Sequence, residues 1–222
     1  MIAANPQGYF ITGSDTDVGK TYVGCELVRQ LRGCGLKIET RKPAESGCEA
    51  DDAGNLITHD AAALREANGD VETIERIARY RFRTAVAPHR AARIEGQAVH
   101  IENLIDACGQ DDASACLIVE GAGGFYSPLA ENGLNADLAS VLQLPVIIVV
   151  RNRIGAVNQA LLTAQAVESR HLRVAAIILN QVDRDIEAAM DNPADLRACC
   201  EHPVFECKHG ERLEPVFENP GD

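Results

Sequence analysis

Short uninterrupted apolar runs alternate along the chain with longer stretches in which apolar positions recur at helical spacing. "VIIVV" (Val146 to Val150) and "VAAIIL" (Val174 to Leu179) show no polar alternation, the pattern of parallel strands covered on both faces. The runs predict strands at Tyr9–Thr12, Leu36–Thr40, Ala115–Glu120, Val146–Val150 and Val174–Asn180. The amphipathic stretches predict helices at Lys20–Arg32, His59–Ala67, Ile101–Ala107, Ala156–Ser169 and Arg184–Met190. Gly33 and Gly35 follow the first helix as C-terminal stops. Residues 69–100 read as mixed or irregular, Pro203–Phe205 as a short strand, and the tail is expected to fray after Glu214. This order predicts an α/β fold: a doubly wound, mostly parallel sheet between helical layers.

Length and charge narrow the picture. A chain of 222 residues fits one domain with a substantial core. Its formal charge of -12 argues against nucleic acid or a membrane surface as partner, since both are anionic. Six arginines between Arg76 and Arg93 run against that balance and read as a solvated face. The eight cysteines form no Cys-x-x-Cys pair and have no histidine cluster at zinc spacing, so they read as free thiols. With no signal peptide and no apolar run of membrane-spanning length, the expected compartment is the reducing cytoplasm.

The strongest chemical signal is "TGSDTDVGKT", Thr12 to Thr21. A strand runs into a loop, and Lys20-Thr21 opens a helix, as phosphate-cradling loops require. Ser14-Asp15-Thr16-Asp17-Val18 puts one residue more between Gly13 and Gly19 than the common spacing allows. Backbone N–H groups of Asp17 to Tyr22 would face phosphate oxygens, Lys20 would neutralise them, and Thr21 would offer its hydroxyl to Mg²⁺.

Three further stretches fall at the carboxyl ends of predicted strands, where open α/β sheets bind ligands. "RKPAESG" places Lys42 and Ser46 beside the loop, with Lys42 a second cation for charge on a transferring phosphoryl group. A solvated lysine is the competing reading. "LIVEGAGG" ends a buried strand on Glu120, a carboxylate suited to Mg²⁺, and Gly121, Ala122, Gly123 and Gly124 form a turn where a ligand can approach backbone. In "NRIGAVNQA" the N–H groups of Ala156, Val157 and Asn158 open a helix and could receive a carboxylate, or simply start that helix. Asp60 follows a candidate N-cap at Thr58, where an acid suits the helix dipole as well as a metal.

Together "TGSDTDVGKT", "KPAESG", "HDAAAL", "PHRAARIEG", "VEGAGGFYSPL" and "GAVNQALLTAQ", in this order, resemble the dethiobiotin synthetases over about Tyr9 to Val182. The resemblance implies a P-loop NTPase fold of Rossmann-like, three-layer αβα type, a homodimer, and MgATP, CO₂ and 7,8-diaminopelargonic acid as substrates. It implies Lys42, Lys20, Thr16 and Asp17 as the catalytic group and Thr21, Asp60 and Glu120 at Mg²⁺. Ser46, Lys42 and Gly123 would meet the substrate carbamate, Asn180 and Gln181 would face adenine, and Ala156 to Asn158 would take the substrate carboxylate across the dimer. The chain departs from the family's pattern at Gln181, where an aspartate is common, and at Arg151, where a small residue is usual. It also lacks the first proline of the segment before His89 and the Gly-x-[Leu/Ile]-Pro loop near the end.

Two rivals carry the same loop. An amidotransfer-type P-loop ligase would need a glutaminase domain, for which the chain is too short. A partitioning or site-selecting ATPase switch prefers a lysine early in the loop, and Ser14 to Val18 contain none.

Overall fold

Tyr9 and Ile11 point into one hydrophobic cluster and Phe10 into another, so the first strand is buried on both sides. The same division recurs in Val146, Ile148 and Val150 against Ile147 and Val149. This two-sided burial is why the runs carry no polar alternation.

The computed structural model describes residues 1–5, 7–185, 187 and 189–218. The first half contains β1 (Gly8–Gly13), α1 (Lys20–Gly33), β2 (Ile38–Arg41), β3 (Ala44–Ser46), β4 (Glu49–Ala50), β5 (Leu56–Ile57), α2 (His59–Ala67), α3 (Ile74–Ile77), β6 (Tyr80–Phe82) and α4 (Pro88–Ile94). Next come α5 (Ile101–Ala107), β7 (Cys116–Gly124), β8 (Pro128–Ala130), β9 (Gly133–Leu134) and α6 (Asn135–Leu142). The chain continues through β10 (Val146–Arg151), α7 (Ala156–Ser169), β11 (Val174–Asn180), α8 (Asn192–Cys199) and β12 (Val204–Cys207). Six strands form one parallel sheet in the order β12-β11-β10-β1-β7-β2, with helices on both faces. Among the described residues no helix is long and apolar enough to cross a membrane.

Four expectations need correction. Among the described residues of Arg184–Met190 there is no helix, and Ile186 and Ala188 lie outside the described residues. The helix starts later, where Asp191 caps it by accepting from the Ala194 N–H at 3.1 Å and Pro193 sits in its first turn. The tail does not fray at Glu214: Val216 and Phe217 are buried, and Phe217 bridges to Ile2. The strand ending at Glu120 continues to Gly124, so the glycines extend the sheet before the chain turns. The arginine-rich segment is not merely solvated, since Arg76 donates to the α5 carbonyl of Ala107 and pairs with Asp111 at 2.6 Å.

Candidate active site

The phosphate loop is shaped by close contacts that exclude side chains. Gly19 adopts φ 82, and a Cβ there would lie 2.1 Å from Asn180 Nδ2. That amide nitrogen donates to the Val18 carbonyl at 2.9 Å, so the end of β11 supports the loop from below. At the loop's entry the Asp15 carboxylate accepts from the Thr16 N–H at 2.7 Å, while Lys20 Nζ donates to the Asp15 carbonyl at 3.2 Å. Asp17 holds φ 54, a left-handed conformation that aspartate tolerates better than most residues. The extra residue is thus taken up by a side-chain brace at Asp15 and a left-handed turn at Asp17.

The loop forms one wall of a cleft of about 360 Å³. Thr16, Asp17, Gly19, Lys20 and Thr21 line it from the loop, Lys42, Ser46 and Asp60 from the second wall, and Glu120, Ala122 and Gly123 from β7. At its base a buried Lys42 ammonium donates to Glu120 Oε1 at 2.5 Å and to the Gly121 carbonyl at 3.3 Å, and meets Asp60 Oδ2 at 2.8 Å. Burial acts to pull this ammonium's pKa down, but Glu120 and Asp60 outweigh it and hold Lys42 charged, above the ordinary lysine range. Burial opposes ionisation of Asp60 too, and Lys42 again wins, holding its carboxyl below the usual range. Lys20 has less compensation. Burial, and then the repulsion of Lys42, push its pKa down to about 8.

Thr21, Asp60 and Glu120 also fit a hard cation. Thr21 Oγ1 lies 2.8 Å from Asp60 Oδ1 and 2.8 Å from Glu120 Oε1, yet a hydroxyl has one proton and can donate to only one of them. Glu120 Oε2 is buried without a hydrogen-bond partner. Two carboxylates, one of them with an orphaned oxygen, and a hydroxyl form the oxygen-only, incomplete set that Mg²⁺ uses when a nucleotide supplies further ligands. Among the described residues no cluster of three His, Cys, Asp or Glu side chains offers a metal site of another kind.

Two organising residues escape a motif-based reading. Glu45 accepts from the N–H groups of Asp60 and Ala61, both at 3.0 Å. It caps α2 in place of the Thr58 side chain, which makes no capping bond, and so aims Asp60 at the cleft. Asn135 is fully buried: its amide donates to the carbonyls of Ala122, Gly124 and Ser127 and accepts from the Ala122 N–H at 2.9 Å. A Cβ on Gly121 would come within 2.6 Å of Asn135 Oδ1, which explains a glycine there. The only sequence signals were an acid inside "PAESG" and an asparagine opening an unassigned amphipathic run, "NADLASVL".

Other candidate residues lie away from the cleft. Tyr22 turns outward, and its hydroxyl donates to the Glu211 carbonyl at 2.7 Å. Gln181 follows β11 and donates from its amide to the Arg184 carbonyl at 3.2 Å. Ala156, Val157 and Asn158 open α7 behind Gly155, which has φ 88, and the Ala156 N–H is already bonded to Arg153.

Comparisons with known proteins agree with this arrangement. A family model described as an AAA domain matches residues 7–207. The ATP-dependent dethiobiotin synthetase BioD of Anaeromyxobacter dehalogenans (strain 2CP-C) is 45% identical over 176 residues, covering 79% of this chain and 77% of that protein. The enzyme of the same name from Aromatoleum aromaticum is 38% identical over 201 residues, covering 90% and 89%. Among solved structures, the signal recognition particle receptor FtsY from Elizabethkingia anophelis superposes with a TM-score of 0.54 at 18% identity. It covers 98% of this chain but 64% of its own, and at that identity speaks for the fold alone. With a phosphate loop, a facing lysine and two carboxylates gathered in one cleft, and relatives matched over most of their length, the chain belongs to the family of ATP-dependent dethiobiotin synthetases.

Proposed function

We propose that this protein converts 7,8-diaminopelargonic acid, CO₂ and ATP into dethiobiotin, ADP and phosphate, with Mg²⁺ as cofactor, in the cytoplasm. The observation that carries the reading is the sharing of one cleft by Lys20 and Lys42, on opposite walls, with Ser46 and Gly123 nearby. A simple nucleotide switch has no need of a second buried lysine there.

In this reading one substrate amine adds to CO₂ and loses a proton, giving a carbamate. A carbamate oxygen then displaces ADP from the γ-phosphorus of ATP, forming a carbamic-phosphoric anhydride. The second amine attacks the carbonyl carbon, phosphate leaves, and the cyclic urea closes. The difficulty is electrostatic, because carbamate and triphosphate are both anions held in contact. Lys20 and the loop N–H groups of Gly19, Thr21 and Tyr22 hold the phosphates. Lys42 neutralises charge at the transferring phosphoryl group, while Ser46 and the Gly123 backbone orient the carbamate. Thr16 and Asp17, carried forward by the longer loop, face the amine. Thr21, Asp60 and Glu120 would hold Mg²⁺, which supplies charge neutralisation to the phosphates.

Ala156, Val157 and Asn158 lie outside the cleft, and the Ala156 N–H is held by the Arg153 carbonyl, so we assign the N–H groups of Val157 and Asn158 to the substrate carboxylate of a second subunit in a homodimer. Exposed Ile154 and Leu162 on and beside α7 support a surface covered in such an assembly. Asn180 and Gln181 lie on the adenine side. The test is direct: purified protein with diaminopelargonate, bicarbonate and MgATP, followed by mass spectrometry. Absence of dethiobiotin, or ATP hydrolysis independent of the diamine, would overturn the proposal.

A further inference from the structure

Arg151 closes β10 and Asp183 lies just past the end of β11. Their side chains meet at two points, with Nε donating to Oδ2 at 2.9 Å and the second guanidinium nitrogen donating to Oδ1. Arg151 pairs in register with Asn180, and the Asn152 N–H donates to the Asn180 carbonyl at 2.8 Å. The ion pair therefore bridges two neighbouring strands at the end of the sheet where the phosphate loop rests.

The turn it fastens is the one that supports the loop. Asn180 donates to the Val18 carbonyl from within that turn, and Gly19 packs against the same amide so closely that no side chain fits. The turn's other tethers are single contacts: the Gln181 N–H donates to the Cys207 carbonyl at 2.8 Å, and His209 Nδ1 lies 2.8 Å from the Val182 carbonyl. A two-point guanidinium–carboxylate pair fixes direction as well as distance, which the single contacts do not. Its value to folding is small, because the Arg151 and Asp183 side chains are 28% and 44% exposed and water screens such pairs. The charge of Asp17, across the loop, adds to that of Asp183 in favouring the Arg151 cation.

We propose that the Arg151–Asp183 pair is a positioning element for nucleotide binding. It holds the turn after β11 so that Asn180 keeps Val18 and Gly19 in the conformation that aims the loop's N–H groups at a polyphosphate. Neither residue touches the nucleotide. The inference rests on the reading of the loop as a nucleotide site.

Calorimetric titration with ADP and with a non-hydrolysable ATP analogue, both with Mg²⁺, tests it. Arg151→Ala, Asp183→Ala and the near-isosteric Asp183→Asn are each expected to weaken binding about three- to fivefold, the scale of a partly exposed ion pair. The double alanine variant should be no weaker than either single one, since both remove the same contact. Arg151→Lys should recover only part of the loss, because lysine lacks the planar fork. The melting temperature and the turnover at saturating nucleotide should stay close to those of the unaltered protein, which separates positioning from general stability. Unchanged affinity in the single variants, beside an unaltered protein that binds well, would overturn this inference alone. Additive losses in the double variant, or weakening that follows a falling melting temperature, would overturn it too. An unaltered protein that binds neither nucleotide would overturn the nucleotide reading and this inference together.

Discussion

Lys42 Nζ and Glu120 Oε1 lie 2.5 Å apart, one residue past the last paired positions of two adjacent strands, Arg41 and Val119. The register of β2 against β7 therefore sets the pair, and both partners are buried. If Lys42 neutralises the transferring phosphoryl group, Lys42→Ala should lower turnover by about 10²–10³-fold, as for loss of a preorganised electrostatic contact. Nucleotide affinity should change much less, because Lys20 and the loop backbone remain. Removing the lysine also strands Glu120, so the melting temperature should fall. Steady-state kinetics beside nucleotide titration checks the split, and unaltered turnover would exclude Lys42 from the chemistry.

Glu120→Gln keeps the shape of the side chain and removes its charge. The variant should need a markedly higher Mg²⁺ concentration for half-maximal activity. Thr21→Val, which removes the hydroxyl between the two carboxylates, should shift the requirement in the same direction. Activity titrated against Mg²⁺ at fixed ATP reads both effects. An unmoved requirement in both variants would argue that the carboxylates serve only to hold Lys42.

Much of this site is legible without coordinates, for physical reasons. Parallel strands buried on both faces produce continuous apolar runs, and a loop that binds phosphate through backbone needs glycines at fixed spacing. Hence β10, β11 and the Gly13–Thr21 loop are visible in the sequence. Helix α8 is not, because its eight residues bury one large apolar side chain, Leu196, and its start depends on the Asp191 cap. Glu45 and Asn135 are hidden for a different reason. Their partners are backbone groups, N–H for Glu45 and N–H with C=O for Asn135, on segments 15–16 and 8–13 residues away, and backbone groups leave no mark on side-chain pattern.

Asn135 supplies a stability prediction. Its amide makes bonds to four backbone groups of the Ala122–Ser127 segment from a fully buried position. Asn135→Ala would remove the side-chain partner of the Ala122 N–H and C=O in a low-dielectric setting, while the carbonyls of Gly124 and Ser127 keep the N–H groups of Ser127 and residue 135, at a cost of about 2 kcal/mol. Gly121→Ala should destabilise through the opposite fault, since its new Cβ would meet Asn135 Oδ1 at 2.6 Å. In the double variant the clash disappears with the amide, so the two losses should be less than additive. Denaturant unfolding measures all three variants, and strict additivity would count against this contact.

The depressed Lys20 pKa gives a prediction in pH. The unfolded chain holds this proton up to about 10.5 and the folded one releases it near 8. Between those values the unfolded state binds more protons, so the contribution of Lys20 to stability rises with pH across that window. A polyphosphate beside the ammonium replaces the missing negative charge and should restore an ordinary lysine pKa. Nucleotide binding should then take up a fraction of a proton between about pH 8 and 9, and almost none at pH 6, where Lys20 is already charged. Calorimetry in buffers of different ionisation enthalpy measures this uptake directly. A binding enthalpy independent of buffer at pH 8.5 would mean that the phosphates do not reach Lys20.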